Sequence, residues 1–331
     1  MRYLGSKKQL LGDIYSYTTD IPLNGVFCDP FGGIGTVGSF MKEKGFKVIS
    51  GDILYFAHCF QSAKIESRSS RIFEGLKGIT NNIGEECVEE YLNVIEPKYG
   101  WIVREYSEER QYFTYENALR IQADYDCIQG WKKRMLIDEF EYKILISSLI
   151  NSFDRVANTA GTYYAFLKKF YRKALKRFVF RIIKETPGNK SCETYLSDAL
   201  DLVKNHDCDI LYLDPPYNNR NYQRYYHLPE TIAKGVTPVP SGKSGVYVNK
   251  TINSAFNNKS LATESFEKII NATNAKRIIF HYTDNGVINI ADAKNILRAY
   301  GDIDDKYIYC KGYKTTSIDN KTSHHIISVN K

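Results

Sequence analysis

The 331-residue chain has 43% hydrophobic and 25% charged residues, with 45 Lys and Arg against 38 Asp and Glu for a formal charge of +7. Such a balance belongs to a folded globular protein and excludes a disordered or collagen-like chain; the length suits one sizeable domain plus a second module. No apolar run nears the roughly 18 residues of a membrane span, and residues 1–11 lack the apolar stretch of a secretion signal, so the protein is expected to be cytoplasmic with no membrane partner.

In chain order, Val26-Phe27-Cys28 reads as a short apolar strand, Gly32 to Gly35 as a flexible turn, and Thr36 to Lys44 as an amphipathic helix closed by Gly45. Lys47-Val48-Ile49 starts a second strand that ends at Asp52, completing a βαβ start over residues 25–66. Residues 67–190 break the alternation. Longer helical patterns there, at 139–154 and 163–184, predict an inserted and mainly helical domain, and Pro187-Gly188-Asn189 marks the return to the sheet. Asp198 ends a third short strand in Tyr195-Leu196-Ser197-Asp198, and Asp209 to Leu213 run apolar into Asp214 and two prolines. The stretches 238–250 and 253–259 are polar enough to be mobile loops. Strands follow at 277–282, 306–310 and 324–329, with a helix at 288–300; the last two strands, joined by a polar turn, should pair antiparallel at one edge. The fold expected is α/β: a doubly wound, Rossmann-like, mostly parallel sheet with an antiparallel edge hairpin and an inserted helical domain.

The sharpest chemical signal is Asp214-Pro215-Pro216-Tyr217 directly after an apolar strand, because strand ends in open α/β sheets are where ligands sit. Two prolines withdraw backbone donors and leave carbonyls as acceptors beside a carboxylate and an aromatic face. Asp214 and the Pro215 carbonyl can accept both N–H groups of an adenine amine and draw its delocalised lone pair toward reaction, while Tyr217 stacks on a base rotated out of the helix. A rigid buried turn is the bland alternative.

A second signal, Asp29-Pro30-Phe31-Gly32-Gly33-Ile34-Gly35, lets a ligand approach backbone amides at a helix N-terminus. It lacks the GxGxxG spacing of dinucleotide folds and the Gly-Lys-Ser/Thr of a phosphate loop. Asp52 stands where an acid accepts hydrogen bonds from ribose hydroxyls, and Asp198 where one meets the adenine of a nucleoside; helix capping is the alternative for each. Seven scattered cysteines form no CxxC pair, and His58 and the His324-His325 pair lack partners at metal-ligand spacing, so no metal is expected. No Pro precedes any cysteine, which argues against methylation of a cytosine ring through a Pro-Cys nucleophile.

Taken together, Asp29-x-Phe31-x-Gly33-x-Gly35 and Asp214-Pro-Pro-Tyr217 resemble the amino-methyltransferases of DNA that use S-adenosylmethionine (SAM). Tyr3-Leu4-Gly5-Ser6-Lys7 resembles the segment before the glycine motif in their Dam-like α group of N6-adenine enzymes, and the motif order matches that group. The resemblance implies a site-specific DNA (adenine-N6) methyltransferase with SAM as cofactor. It implies cofactor contacts from Tyr3, Gly5, Lys7, Asp29, Phe31, Gly33, Gly35, Asp52, Asp198 and Asp214, and catalysis by Asp214, Pro215, Pro216 and Tyr217. Tyr226-His227-Leu228-Pro229-Glu230-Thr231 and Phe280-His281-Tyr282-Thr283-Asp284-Asn285-Gly286 also look like later motifs of the family; its commoner form has Ser where His281 stands, which leaves open whether that imidazole serves the site or the core.

Within the insertion, residues 154–163 look like a sequence in some modification methylases. Lys168, Lys169, Arg172, Lys173, Lys176 and Arg177, followed by Arg181 and Lys184 and interleaved with Phe170, Tyr171 and Phe178, suit contact with DNA phosphates from a helix whose other face is buried; a solvated charged face is the alternative. The expected division is 1–66 and 191–331 for the methyltransferase domain and 67–190 for target recognition. The expected partners are double-stranded DNA and, by resemblance, a cognate restriction endonuclease. Methylation of RNA adenine or of cytosine's exocyclic amine, and a non-catalytic nucleic-acid-binding module, remain as alternatives.

Overall fold

The computed structural model describes the chain apart from residues 23, 70, 238, 248–253, 312–320 and 331, and apart from the side chains of 309–311 and 321–322. Its contacts divide into two compact units: Lys7–Ile53, Thr186–Asn221 and Ile252–Lys331 form one, and Met1–Ser6, Leu54–Glu185 and Tyr222–Thr251 the other.

The first unit holds a seven-stranded sheet of β1 (Val26–Asp29), β2 (Lys47–Asp52), β3 (Glu193–Leu196), β4 (Ile210–Leu213), β5 (Arg277–Thr283), β6 (Ile303–Lys311) and β7 (Lys321–Asn330) in the order β3-β2-β1-β4-β5-β7-β6. Neighbours from β3 through β5 run parallel; β7 lies antiparallel between β5 and β6. The expected Rossmann-like sheet with an antiparallel edge is therefore what the chain builds, while the turn joining β6 to β7 lies outside the described residues.

Two-residue alternation in β1, β4 and β5 gives the sheet two buried faces. On one, Cys28, Leu211, Leu213, Ile278 and Phe280 pack with Leu202, Phe266, Ile269 and Leu297 from the helices Ala199–Asn205, Ala262–Ala272 and Ile290–Arg298. On the other, Phe27 stacks on Tyr212 and meets Phe46, and the helix Thr36–Glu43 packs on β1 and β2. Each fully buried apolar side chain contributes about 1.5–3 kcal/mol, enough in sum to hold the strand ends rigidly. Strand order reverses between β1 and β4, whose register pairs Phe27 with Ile210 and Cys28 with Leu211. Both acidic strand ends, Asp29 and Asp214, thus emerge at the same end of adjacent strands, at the switch point where such sheets bind ligands.

The second unit is helical, with helices Tyr55–Ile65, Glu85–Val94, Tyr115–Lys133, Glu139–Asp154 and His227–Lys234. Asp138 and Glu141 form a reciprocal capping box at the start of Glu139–Asp154, and Thr114 caps Tyr115–Lys133. The helix Tyr55–Ile65 packs on Glu139–Asp154 and His227–Lys234, so it and residues 222–251 group with residues 67–185 and not with the sheet, unlike the division expected at 66 and 190. Of the polar stretches at 238–250 and 253–259, the described parts form a bridge between Ser241 and Val246 and a short 3-10 turn at Ala255–Asn257; the remainder lies outside the described residues.

The helix expected over 163–184 does not form. Here the chain is extended or turning, and Phe178, Phe180 and Ile182 are buried while Arg177, Val179 and Arg181 are exposed, a period of two. Its backbone is clipped by side chains. Asn117 accepts from Phe178 N–H at 2.8 Å and donates to the carbonyls of Ala174 and Lys176; Asn93 accepts from and donates to Phe180; Glu89 accepts from Ile182; Ser152 accepts from Arg181 and Ser148 from Ile183. These bonds give the amides the partners that a helix would otherwise supply.

Candidate active site

The glycine turn after β1 depends on residues that only Gly tolerates at no steric cost: Gly33 has φ 51° and Gly35, the N-cap of Thr36–Glu43, has φ 73°. Gly32 N–H donates to Gly51 on β2 at 2.9 Å, and Gly33 N–H to the Asp52 carboxylate at 3.0 Å. Asp52 thereby ties the end of β2 to the glycine turn. Phe31 packs edge-on against Phe256. Asp198, by contrast, lies past the end of β3 and caps Ala199–Asn205, accepting from Leu200 N–H at 2.9 Å.

Asp29 is 1% exposed, and its Oδ1 has no hydrogen-bond partner among the described residues. Burial, then the negative charges of Asp214 and Asp52, push its carboxyl up to about 8. Asp214, in the next strand, goes the other way: burial alone would raise it, but Lys7 and His281 hold it below the usual carboxylate range. The Lys7 ammonium lies 2.5 Å from Asp214 Oδ2, and although burial opposes its charge, Asp214 and then Tyr217 keep it protonated above its ordinary value.

Asp214 Oδ1 is buried and has no hydrogen-bond donor in proper geometry among the described residues; His281 Nδ1 stands 3.3 Å away. Pro215 is buried and Tyr217 half-buried. The Tyr217 ring meets Tyr282 and His324 edge-on at 6.4 and 6.2 Å, with Lys7 Nζ 5.7 Å from its centroid. His281 stacks on His324 at 5.0 Å. Burial lowers both imidazoles, His324 to about 4, so both are neutral near pH 7.

The structure thus brings Lys7, Asp29, Gly33, Gly35, Asp52, Asp214, Pro215, Pro216 and Tyr217 into one unit and joins Lys7 to Asp214. What the sequence did not reveal is the His281–His324 pair. His324 faces Thr283 across the β5–β7 ladder, two residues from His281 on the same face, so the two rings meet diagonally; only the strand register could have shown it.

Tyr3 and Gly5 belong to the helical unit. Tyr3 stacks on Tyr226 at 5.0 Å and Leu4 N–H donates to the Tyr226 hydroxyl; their cofactor role rests on resemblance. The motif around Tyr226 is structural in its described contacts. Glu230 accepts from Tyr55 and Phe56 N–H at the start of Tyr55–Ile65, and His227, lowered by burial to about 4, bonds Tyr163 O. In the same unit a groove of about 580 Å³ is lined by Arg2, Arg155, Lys173, Lys176, Arg177 and Arg181 around Asp154. Lys168, Lys169 and Arg172 are exposed, whereas burial and the nearby Arg2 push Lys173 down to about 8. These cations lie along an extended, turning segment and not on a helix. Among the described residues no cluster of His, Cys, Asp and Glu has the makings of a metal site, and no helix is long and apolar enough to cross a membrane.

Residues 3–296 match the family model of D12 class N6 adenine-specific DNA methyltransferases. The chain belongs to that family. Among its relatives, the Type II methyltransferase M.NlaIII of Neisseria lactamica is 31% identical, over 97% of this chain and 95% of the relative. Type II methyltransferase M.CviAII of Paramecium bursaria Chlorella virus 1 is 32% identical over 90% and 88%. Type II methyltransferase M.FokI of Planomicrobium okeanokoites is 34% identical over 95% of this chain but 49% of its own length. The chain spans about half the length of that relative and of modification methylase StsI of Streptococcus sanguinis.

Proposed function

We propose that this chain methylates the N6 amine of an adenine rotated out of duplex DNA, with SAM as methyl donor. The observation that carries the reading is Asp214 Oδ1, a buried acceptor with no donor in good hydrogen-bond geometry among the described residues, on a carboxylate whose other oxygen is held by Lys7. It sits one residue before the Pro215 carbonyl, so the turn offers two acceptors for the two amine hydrogens, beside the Tyr217 ring.

SAM suits the neighbouring turn: Asp29 presents a buried, unbonded oxygen of a kind that a cationic ligand satisfies, and Gly33 and Gly35 give the turn a left-handed backbone just before the helix Thr36–Glu43. Asp29, Phe31, Gly33, Gly35 and Asp52 would hold it, with Asp198 at the edge of the set. When bound, it supplies an electrophilic methyl on sulfur. Asp214 and Pro215 orient the amine for in-line attack, Tyr217 offers a stacking face for the base, and Lys7 keeps Asp214 ionised.

Lys168, Lys169, Arg172, Lys173, Lys176 and Arg177 are proposed to contact DNA phosphates. In the cell the chain would act as the modification half of a restriction-modification pair, a reading supported by its likeness, at 31% identity and above, to Type II methyltransferases and a modification methylase. The test is transfer of label from tritiated SAM into unmethylated chromosomal DNA, with RNA as a parallel substrate, for the wild type and Asp214→Asn. Loss of transfer by at least about 1,000-fold in a folded Asp214→Asn protein is expected. Undiminished transfer would rule out the assigned role, and label entering RNA in preference to DNA would rule out the substrate.

A further inference from the structure

Asp214 needs a fixed orientation if Oδ1 is to meet an amine, and Lys7, on Oδ2, supplies only half of it. An ammonium is a point charge on a flexible stem and leaves a carboxylate free to swing about the Cβ–Cγ bond. The second contact is His281, fully buried on β5, with Nδ1 3.3 Å from Oδ1. Its ring is held in turn by stacking on His324 from β7. Both His281 nitrogens are buried without a hydrogen-bond partner of good geometry among the described residues, an arrangement that destabilises a fold when it serves only packing.

We propose that His281 is the positioning residue of the methyl-transfer site: a neutral imidazole whose Nδ1–H takes one lone pair of Asp214 Oδ1 and so holds the rotamer that turns the other lone pair to the amine. The inference rests on the methyltransferase reading and deepens it. Beside an ionised Asp214, the tautomer with its proton on Nδ1 is the one that matches charge. At 3.3 Å the contact is long, as such contacts commonly are before substrate tightens them.

Neutrality is part of the arrangement. The charged and titratable groups facing His281 are Lys7 from the N-terminal segment, Asp214 after β4, and His324 from β7, with Asp29, Tyr217 and Tyr282 next to these. Protonating His281 sets a second full cation beside Lys7 on one carboxylate, which weakens Oδ1 as an acceptor. Because burial keeps His281 below its ordinary value of 6.5, this happens only in acid.

The test is the pH profile of single-turnover methyl transfer at saturating SAM and chromosomal DNA, for wild type, His281→Ala and His281→Asn. Asn places an amide N–H near the position of Nδ1 and does not titrate. Expected are an acid limb in the wild type that disappears in both variants, a fall of about 10- to 100-fold in the Ala variant with KM for DNA little changed, and partial recovery with Asn. A His281→Ala protein with the wild-type rate and limb overturns the inference. So does an Asn variant no faster than Ala, or one that keeps the limb. An NMR titration of the His281 ring in the wild type gives a check that needs no variant to fold: a ring cationic at pH 7 overturns the proposal. Wild type without any transfer overturns the methyltransferase reading itself, a result distinct from all of these.

Discussion

Replacing Asp29 with asparagine removes an ionisable group and almost no volume. The carboxyl ionises near 8 in the fold and near 3.8 in the open chain. A group raised in this way makes folding take up a proton, so its favourable contribution is complete below about 3.8 and is lost as pH rises toward 8. At ~1.4 kcal/mol per pH unit, the loss reaches about 4 kcal/mol at pH 7. Asparagine does not titrate and avoids it; even a third of that figure raises Tm by roughly 2 °C in a chain of this size. Calorimetry of both proteins without cofactor, from pH 5 to 9, should show the variant gaining on the wild type as pH rises. Isothermal titration with SAM should show the opposite order: the wild type binds more tightly as Asp29 ionises, and the variant binds at least about tenfold more weakly with little pH dependence. A stability gap independent of pH, or a variant less stable than wild type at pH 8, would refute the account of Asp29 as a carboxylate kept for a cation.

Lys7→Met should leave Asp214 buried without its counter-ion and cost about 3–5 kcal/mol by denaturant titration, most of which the double variant with Asp214→Asn restores. Because Asp214 is lowered in the fold, its stabilising contribution is present above 3.8 and lost as pH falls through its folded value, and Lys7→Met should abolish that acid dependence in thermal melts. Asn117→Ala removes the clip on residues 174–178 and should cost about 2–4 kcal/mol, with proteolysis beginning at that segment. Lys176→Ala with Arg177→Ala should lower the slope of log affinity against log salt for DNA by about 1.8, if each makes one phosphate contact; an unchanged slope removes both from the interface.

The sheet was legible because each strand carries its own evidence: β1 and β4 are short apolar runs ending in an acid beside Gly or Pro, and the helices between them keep their own period. The stretch 163–184 was misread for a related reason. Its charges are dense enough to match a helical wheel, while the alternation of Phe178, Phe180 and Ile182 is brief, and its bonding partners Glu89, Asn93, Asn117, Ser148 and Ser152 lie up to 93 residues away. Asp52 and Asp198 look alike as acids near strand ends. Only the loop geometry separates them, the first bonding the glycine turn and the second capping a helix. His281 and His324 become neighbours only once β7 has inserted beside β5.

A segment held by side-chain clips to its own amides can change its outer face without changing its path. Inward residues and clips keep the path of residues 174–183 constant, while the outward side chains of Lys176, Arg177 and Val179 are exposed and make no demand on the core. Exchanging them changes the charge and shape of that rim without repacking the helices behind it.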